Sequence, residues 1–445
     1  MADQALKAGL GICEITPPVG VELGGFGFRA EPSDGIHTPL LAKTLVFQNS
    51  GETIAITSCE LLHLTGEHKC AILGRLGEEL ALTSSNWMLA CTHTHSGPET
   101  FYYVQSKRVD PEYLETLFDR VAESIRVAFE NLQPATVSSG SVSVSGIAVN
   151  RHIVSEDGKA AYECWLPNEE GLVDDRVCLL KVDSAAGQPM ALLSNFACHP
   201  ISLAEKGKPT SRLISGDFPT LATDRLREST GYEVVYTTGC AGDINPYGIC
   251  TGEETARKHG ERFAEVVGSA LEDMQVLQDT RLSHVTEDLS AEYESYPKRE
   301  ELLDGLLENE RLFVVGDPGL TFEQRFDGVS NVEWARRYLD LDERGEVYPP
   351  IPYQLQILRI GDYSLMAVPF EPFLEIGMKC QELLGADRSM VVAYANGNLG
   401  YLVPGNVHDE GGYEVGRSYK VYGYPGPFKR DTADHFYKFI ETHKS

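Results

Sequence analysis

Two apolar runs dictate most of what this chain can become. WMLACTHTHSGP at 87–98 and MALLSNFACHPISL at 190–203 each carry core-type residues up to a histidine and then break at a turn. Such runs read as strands leaving a core, and in α/β sheets ligands gather at the carboxyl ends of strands. In the first run His93 and His95 are two residues apart. On a strand these positions share a face, so both imidazoles can reach one small object. A metal ion is one such object, and a turn hydrogen-bonded by two imidazoles is the plainer alternative. In the second run His199 stands before Pro200. His68, His259 and His443 lie instead in the polar surroundings GEHKC, ARKHGE and ETHKS, where a solvated side chain is expected.

A catalytic zinc commonly takes three protein ligands, mixing histidine with a carboxylate, and keeps a position for water. The best carboxylate candidate is Glu371, in SLMAVPFEPFLEIG, where an apolar strand over 365–368 meets Pro369 and then an acid between two aromatic residues. A carboxylate buried there is either paired or bound to something. The alternative is an acid favoured by the dipole of the helix expected over 373–384.

Elsewhere the periodicity alternates. TLVF (44–47) and GETIAITS (51–58) read as a hairpin, and 110–132 as a helix with Asp110 as cap, Pro111 in the first turn and a stripe of Leu114, Leu117, Phe118, Val121, Ile125 and Phe129. TVSSGSVSVSGIAVNR then switches to period two and delivers Arg151 at its end. Helices are expected over 217–230 and 253–274, with the strand EVVYTTG (233–239) between them. The alternation predicts an α/β fold, a mixed sheet with helices on both faces. A charged, helix-forming stretch at about 287–347 reads as a solvated excursion, with a lid as the alternative. The ten cysteines are scattered without a CxxC pair and read as reduced core residues, Cys91 and Cys198 included.

Taken in order, EITPPVGVELGGFG, GIHTPLLAKTLVF, THTHSGP, VNR, SNFACHP, GCAGDINP, AVPFE and GYLVPGNVHDEGGYEV, spread from about Gly11 to Tyr422, resemble the catalytic domain of the neutral (non-lysosomal, alkaline) ceramidase family. The resemblance implies a single catalytic domain over 1–445 without the family's C-terminal β domain. It implies Zn²⁺ held by His93, His199, Glu371 and Tyr401, and substrate contacts from Gly25, His95, Arg151, Tyr413 and Tyr422. The chain departs from the family in one place: a segment that carries a serine in the family's GDxSPN reads GDINP here, with Asn245. Asparagine cannot serve as a nucleophile, so Asn245 is expected to orient substrate or donate to a developing oxyanion while water activated by the metal attacks.

Acidic residues number 66 against 38 basic, a formal charge of −28 that opposes nucleic acid and anionic membranes. The N-terminal segment lacks a signal-type pattern and no run of about eighteen apolar residues occurs, so a soluble, cytoplasmic protein with a small-molecule substrate is expected. The expected activity is zinc-dependent hydrolysis of an amide or ester, with His95 and Tyr413 stabilising the tetrahedral oxyanion or moving protons and Arg151 orienting a polar head. A true ceramidase, and a non-catalytic or sugar-binding relative, are the alternatives.

Overall fold

Continuous apolar runs become strands here because both of their faces are covered. A computed structural model describes residues 5–27, 29, 31–101, 109–161, 164–314 and 322–444. In chain order the main elements are β1 (Lys7–Glu14), β2 (Leu41–Asn49), β3 (Glu52–Cys59), β4 (Trp87–Cys91), α1 (Pro111–Glu130), β5 (Gln133–Ser143), β6 (Arg176–Ser184), β7 (Pro189–Phe196), α2 (Asp217–Thr230), β8 (Glu233–Thr238) and α3 (Glu253–Ala270). There follow β9 (Leu282–Ala291), α4 (Arg299–Val314), α5 (Phe322–Arg344), β10 (Ile351–Ile360), β11 (Tyr363–Ala367), α6 (Leu374–Leu384), β12 (Ser389–Val392), α7 (Ser418–Tyr422) and α8 (Thr432–Thr442).

The first eight strands form one mixed sheet in the order β8-β7-β6-β5-β1-β2-β3-β4, with Gln275–Val276 added beside β5. The pairs β3/β4 and β7/β8 are parallel and the others antiparallel. The strands β9-β10-β11-β12 make a second sheet. Side-chain alternation shows how the layers stack. Met88 and Ala90 of β4 join Leu45, Phe47, Ile54 and Ile56 in a core shared with Leu358, Ile360, Leu365 and Val392 of the second sheet. Trp87, Leu89 and Cys91 point the other way, onto Leu117, Val121 and Ile125 of α1. Helices α2 and α3 cover the same outer face further along, through Phe218 and Phe263, in the core that holds Cys198. The outer face of the second sheet packs on α6 and α8 through Ile376, Phe436 and Ile440.

The expected α/β class with a mixed sheet and helices therefore holds. The helices flank a stacked pair of sheets, and the sequence did not set the second sheet apart because which strands pair depends on contacts made across the whole chain.

Helix α1 starts where expected: the Asp110 carboxylate accepts the backbone N–H groups of Glu112 and Tyr113 at 3.0 and 3.1 Å, and Pro111 occupies the first turn. Leu114 and Phe129 are only half-buried, and Ala122 and Ala128 take their places on the inner face. Replacing Asp110 by alanine is expected to lower unfolding stability by about 1 kcal/mol, read by chemical denaturation. The charged stretch begins later than its composition suggested. Residues 287–291 complete β9, and the helical part is the pair α4 and α5. Among the described residues no helix is long and apolar enough to cross a membrane.

Candidate metal centre

At the carboxyl ends of β4 and β7 three imidazoles converge: one ligand nitrogen from each of His93, His95 and His199 lies within 4.8 Å of the others. The strand rule is not what brings them together. Strand β4 ends at Cys91, and His93 has φ of 66°, a left-handed turn that folds its ring back toward His95. The two Nε2 atoms end 3.4 Å apart. His199 lies three residues beyond β7, with its ring 5.0 Å from that of His93.

Two of the three rings, those of His93 and His199, are aimed by backbone carbonyls. His93 Nδ1 donates to Leu62 O at 2.8 Å and His199 Nδ1 to Ile244 O at 3.0 Å. A carbonyl only accepts, so the proton sits on Nδ1 and the Nε2 lone pair faces inward. Burial pushes the pKa of His199 down to about 4, and burial with the neighbouring His93 and His199 holds His95 well below its ordinary value. Neutral rings with inward lone pairs are the form that binds a cation.

Glu371 completes the cluster, with Oε2 at 3.3 Å from His93 Nε2 and 3.7 Å from His199 Nε2. Its other oxygen, Oε1, accepts from Asn398 Nδ2 at 3.1 Å and from the Tyr422 hydroxyl. His199 Nε2 and Glu371 Oε2 are both buried without a hydrogen-bond partner and share one point of approach. Two ligands about 2.1 Å from one ion at the tetrahedral angle stand roughly 3.4 Å apart, close to the spacings seen, and three nitrogens with one oxygen suit zinc.

The other expected residues surround this cluster. Tyr401 pairs with Glu371 in a short parallel bridge, and its hydroxyl accepts from Arg151 Nη2 at 3.0 Å. Arg151 is buried and is held by Glu414 Oε1, at 3.0 Å from Nη2 and 3.2 Å from Nε, and by Asn245 Oδ1 at 3.1 Å. Asn245 gives one amide hydrogen to Cys164 O at 2.8 Å, so only its second N–H is left for a ligand. Tyr413 sits beside Tyr401 with ring centroids 5.6 Å apart. Tyr422, expected to contact substrate, gives its hydroxyl to Glu371. His95 was expected beside the ligand set rather than within it. Its Nε2 stands 3.4 Å from that of His93, inside the cluster.

Gly25 has φ of 91°, and a Cβ there would lie 2.5 Å from Cγ and Nδ1 of His95. Gly25→Ala is expected to displace the His95 ring and lower stability by about 1–3 kcal/mol, measured by thermal denaturation.

Four features escaped the sequence reading. Tyr394 stacks on His93 at 3.8 Å and 14°, Asn398 orients Glu371, Glu414 neutralises Arg151, and His63 lies buried beside His93. Of these only Asn398 had a local cue, its position three residues before Tyr401. Two histidines expected in solvent are not there: His259 is buried with Nδ1 3.0 Å from Ser202 Oγ, and His68 is half-buried and closes a capping box with Thr65.

Comparison with known proteins agrees with this frame. Neutral ceramidase B of Dictyostelium discoideum is 27% identical over 225 residues, 48% of this chain and 30% of that protein. Neutral ceramidase of Pseudomonas aeruginosa is 26% identical over 331 residues, 68% of this chain and 47% of that one. The match thus spans from about a third to half of these relatives' length. The crystal structure of neutral ceramidase from Pseudomonas aeruginosa superposes with a TM-score of 0.72 at 20% identity, covering 98% of this chain and 74% of that one, which establishes the shared fold. A ceramidase complexed with C2 gives 0.74 at 19% identity. The family model for the N-terminal part of neutral/alkaline non-lysosomal ceramidases matches residues 6–237, just over half the chain, and the chain therefore belongs to that family.

Proposed function

We propose that this protein is a zinc-dependent hydrolase that cleaves an amide or ester bond of a small, soluble substrate. The observation that carries the reading is the pair of buried, partnerless atoms, His199 Nε2 and Glu371 Oε2, facing the Nε2 atoms of His93 and His95. His93, His199 and Glu371 would hold the ion, with Tyr401 beside them. A zinc ion bound there supplies Lewis acidity for the scissile carbonyl and lowers the pKa of water toward about 7.

The chain's own groups do the rest. His95 and Tyr413 stabilise the tetrahedral oxyanion or move protons at the carbonyl. Arg151, fixed by Glu414, holds the Tyr401 hydroxyl and keeps one Nη1 hydrogen to orient a polar head. Gly25 keeps backbone close to His95, Asn245 ties the 164 segment to the site and offers its second N–H to substrate, and Tyr422 holds Glu371 in place. Because these residues run from Gly25 to Tyr422, the chain acts as one catalytic domain over 1–445. The charge of −28 disfavours nucleic acid and anionic lipid surfaces as partners.

A ceramidase proper is the second reading, favoured by the names of the relatives and by an apolar rim. Phe26 packs on His95 at 4.8 Å and on Trp165 at 6.0 Å, and Trp165 and Leu166 are exposed at 39% and 54%. A panel of amides, esters, lactones and acyl-sugars, with an N-acyl sphingosine in detergent, separates the readings. Turnover of soluble substrates without fatty-acid release supports the first, and fatty-acid release supports the second. A zinc-loaded protein that hydrolyses nothing would instead mark a binding relative.

A further inference from the structure

Among the described residues, α4 and α5 contribute Leu302, Trp334, Ala335 and Tyr338 to a buried cluster that also takes in Tyr348 and Tyr419. Trp334 and Tyr338 are one helical turn apart and so share a face. Both send a hydrogen-bond donor into the same two residues. Trp334 Nε1 donates to Tyr424 O at 2.6 Å, and the Tyr338 hydroxyl donates to Gly423 O at 2.8 Å. Lys420 Nζ lies 4.9 Å from the centre of the Trp334 ring, and Tyr419 packs against its edge at 5.9 Å. The helical pair thus grips the end of α7 and the turn that follows it.

Tyr422 closes α7, immediately before the gripped carbonyls. Its ring lies between Gly400 and Tyr424. A Cβ at Gly400 would meet it at 2.9 Å, and the Tyr424 ring runs nearly parallel, at 5.9 Å and 11°. Its hydroxyl ends on Glu371 Oε1. A phenol reaching a buried carboxylate from the end of a five-residue helix needs its backbone fixed, because such a helix has little stability of its own.

We propose that α4 and α5 act as a clamp: Trp334 and Tyr338 are positioning residues that hold Gly423 and Tyr424, and through them keep Tyr422 on Glu371, so that the Glu371 Oε2 lone pair stays aimed at the metal position. The inference rests on Glu371 being a metal ligand, as proposed above.

The test is a double-mutant cycle on zinc affinity, measured by competition with a chromogenic chelator. Removing an outer hydrogen bond to a ligand typically weakens metal binding by about 10–100-fold, and Tyr422→Phe is expected to fall in that range. Trp334→Phe with Tyr338→Phe keeps an aromatic ring at each position, removes both donors and is expected to weaken zinc about 10-fold in the parent, with little further loss in the Tyr422→Phe background. Equal losses in both backgrounds, or none in either, would overturn the clamp. Hydrogen exchange of metal-free protein provides a reading that needs no zinc. Faster exchange confined to the 418–428 segment in the Trp334→Phe/Tyr338→Phe variant supports the clamp, and unchanged exchange there overturns it. A parent chain that binds no zinc fails the metal reading alone, and the exchange result then decides the clamp. Should the double variant not fold, Tyr338→Phe alone is carried through the same measurements.

Discussion

His199→Ala is expected to take the bound zinc from about one ion per chain to none and to abolish hydrolysis, while leaving the protein folded. The fold survives because the carbonyl that aims the ring is not orphaned by its removal: Ile244 O also accepts the His199 backbone N–H at 3.1 Å. The side-chain bond itself contributes about 1 kcal/mol. Zinc at about a thousand times its dissociation constant should stabilise the parent by about 4 kcal/mol and the variant not at all, read as the shift of the thermal transition on adding metal. Elemental analysis of both proteins is the direct check. A variant that keeps one tightly held zinc would remove His199 from the ligand set and with it the proposed chemistry.

Glu414→Ala is expected to be the most destabilising single change near the site. Arg151 and Glu414 are 5% and 4% exposed, so deleting the carboxylate leaves a guanidinium inside the protein without its counter-charge. Breaking a buried pair from one side costs about 3–5 kcal/mol, a large share of the roughly 5–15 kcal/mol by which a domain is stable. Removing both charges together, as Arg151→Met with Glu414→Met, should recover most of that loss, because two well-packed apolar side chains leave no buried charge behind. Neither variant should be active, since the Tyr401 hydroxyl loses its donor in the double variant and its fixed donor in the single one. Chemical denaturation of the three proteins decides it. A double variant no more stable than Glu414→Ala would mean that the pair contributes packing and hydrogen bonds rather than charge compensation.

These two cases also mark how far the sequence could be read. His93, His199 and Glu371 were legible because each ends an apolar run, and a polar group at the mouth of a buried strand needs a reason to be there. Even so, the convergence of His93 and His95 was inferred from strand alternation, whereas a left-handed turn at His93 produces it. Tyr401, Tyr413 and Tyr422 came only through the family resemblance, since a tyrosine-rich tail has no periodicity that singles out a member. Glu414 was invisible for a different reason. Its contact with Arg151 spans 263 residues, and nothing local in GGYEVG signals a buried carboxylate. The same limit applies to the second sheet: strand signals were present in the sequence, but which strands share a sheet depends on pairings made across the whole chain.

The arrangement at Glu371 carries one more consequence. With Oε1 committed to Asn398 and Tyr422, the side chain can offer a cation a single oxygen. A carboxylate restricted in this way cannot chelate. Calcium, which takes six to eight oxygen ligands and often a two-pronged carboxylate, would find imidazole nitrogens and one carboxylate oxygen at the proposed site instead. In the proposed centre, selectivity would then be set in part from outside the ligand set, by an amide and a phenol that do not touch the metal position.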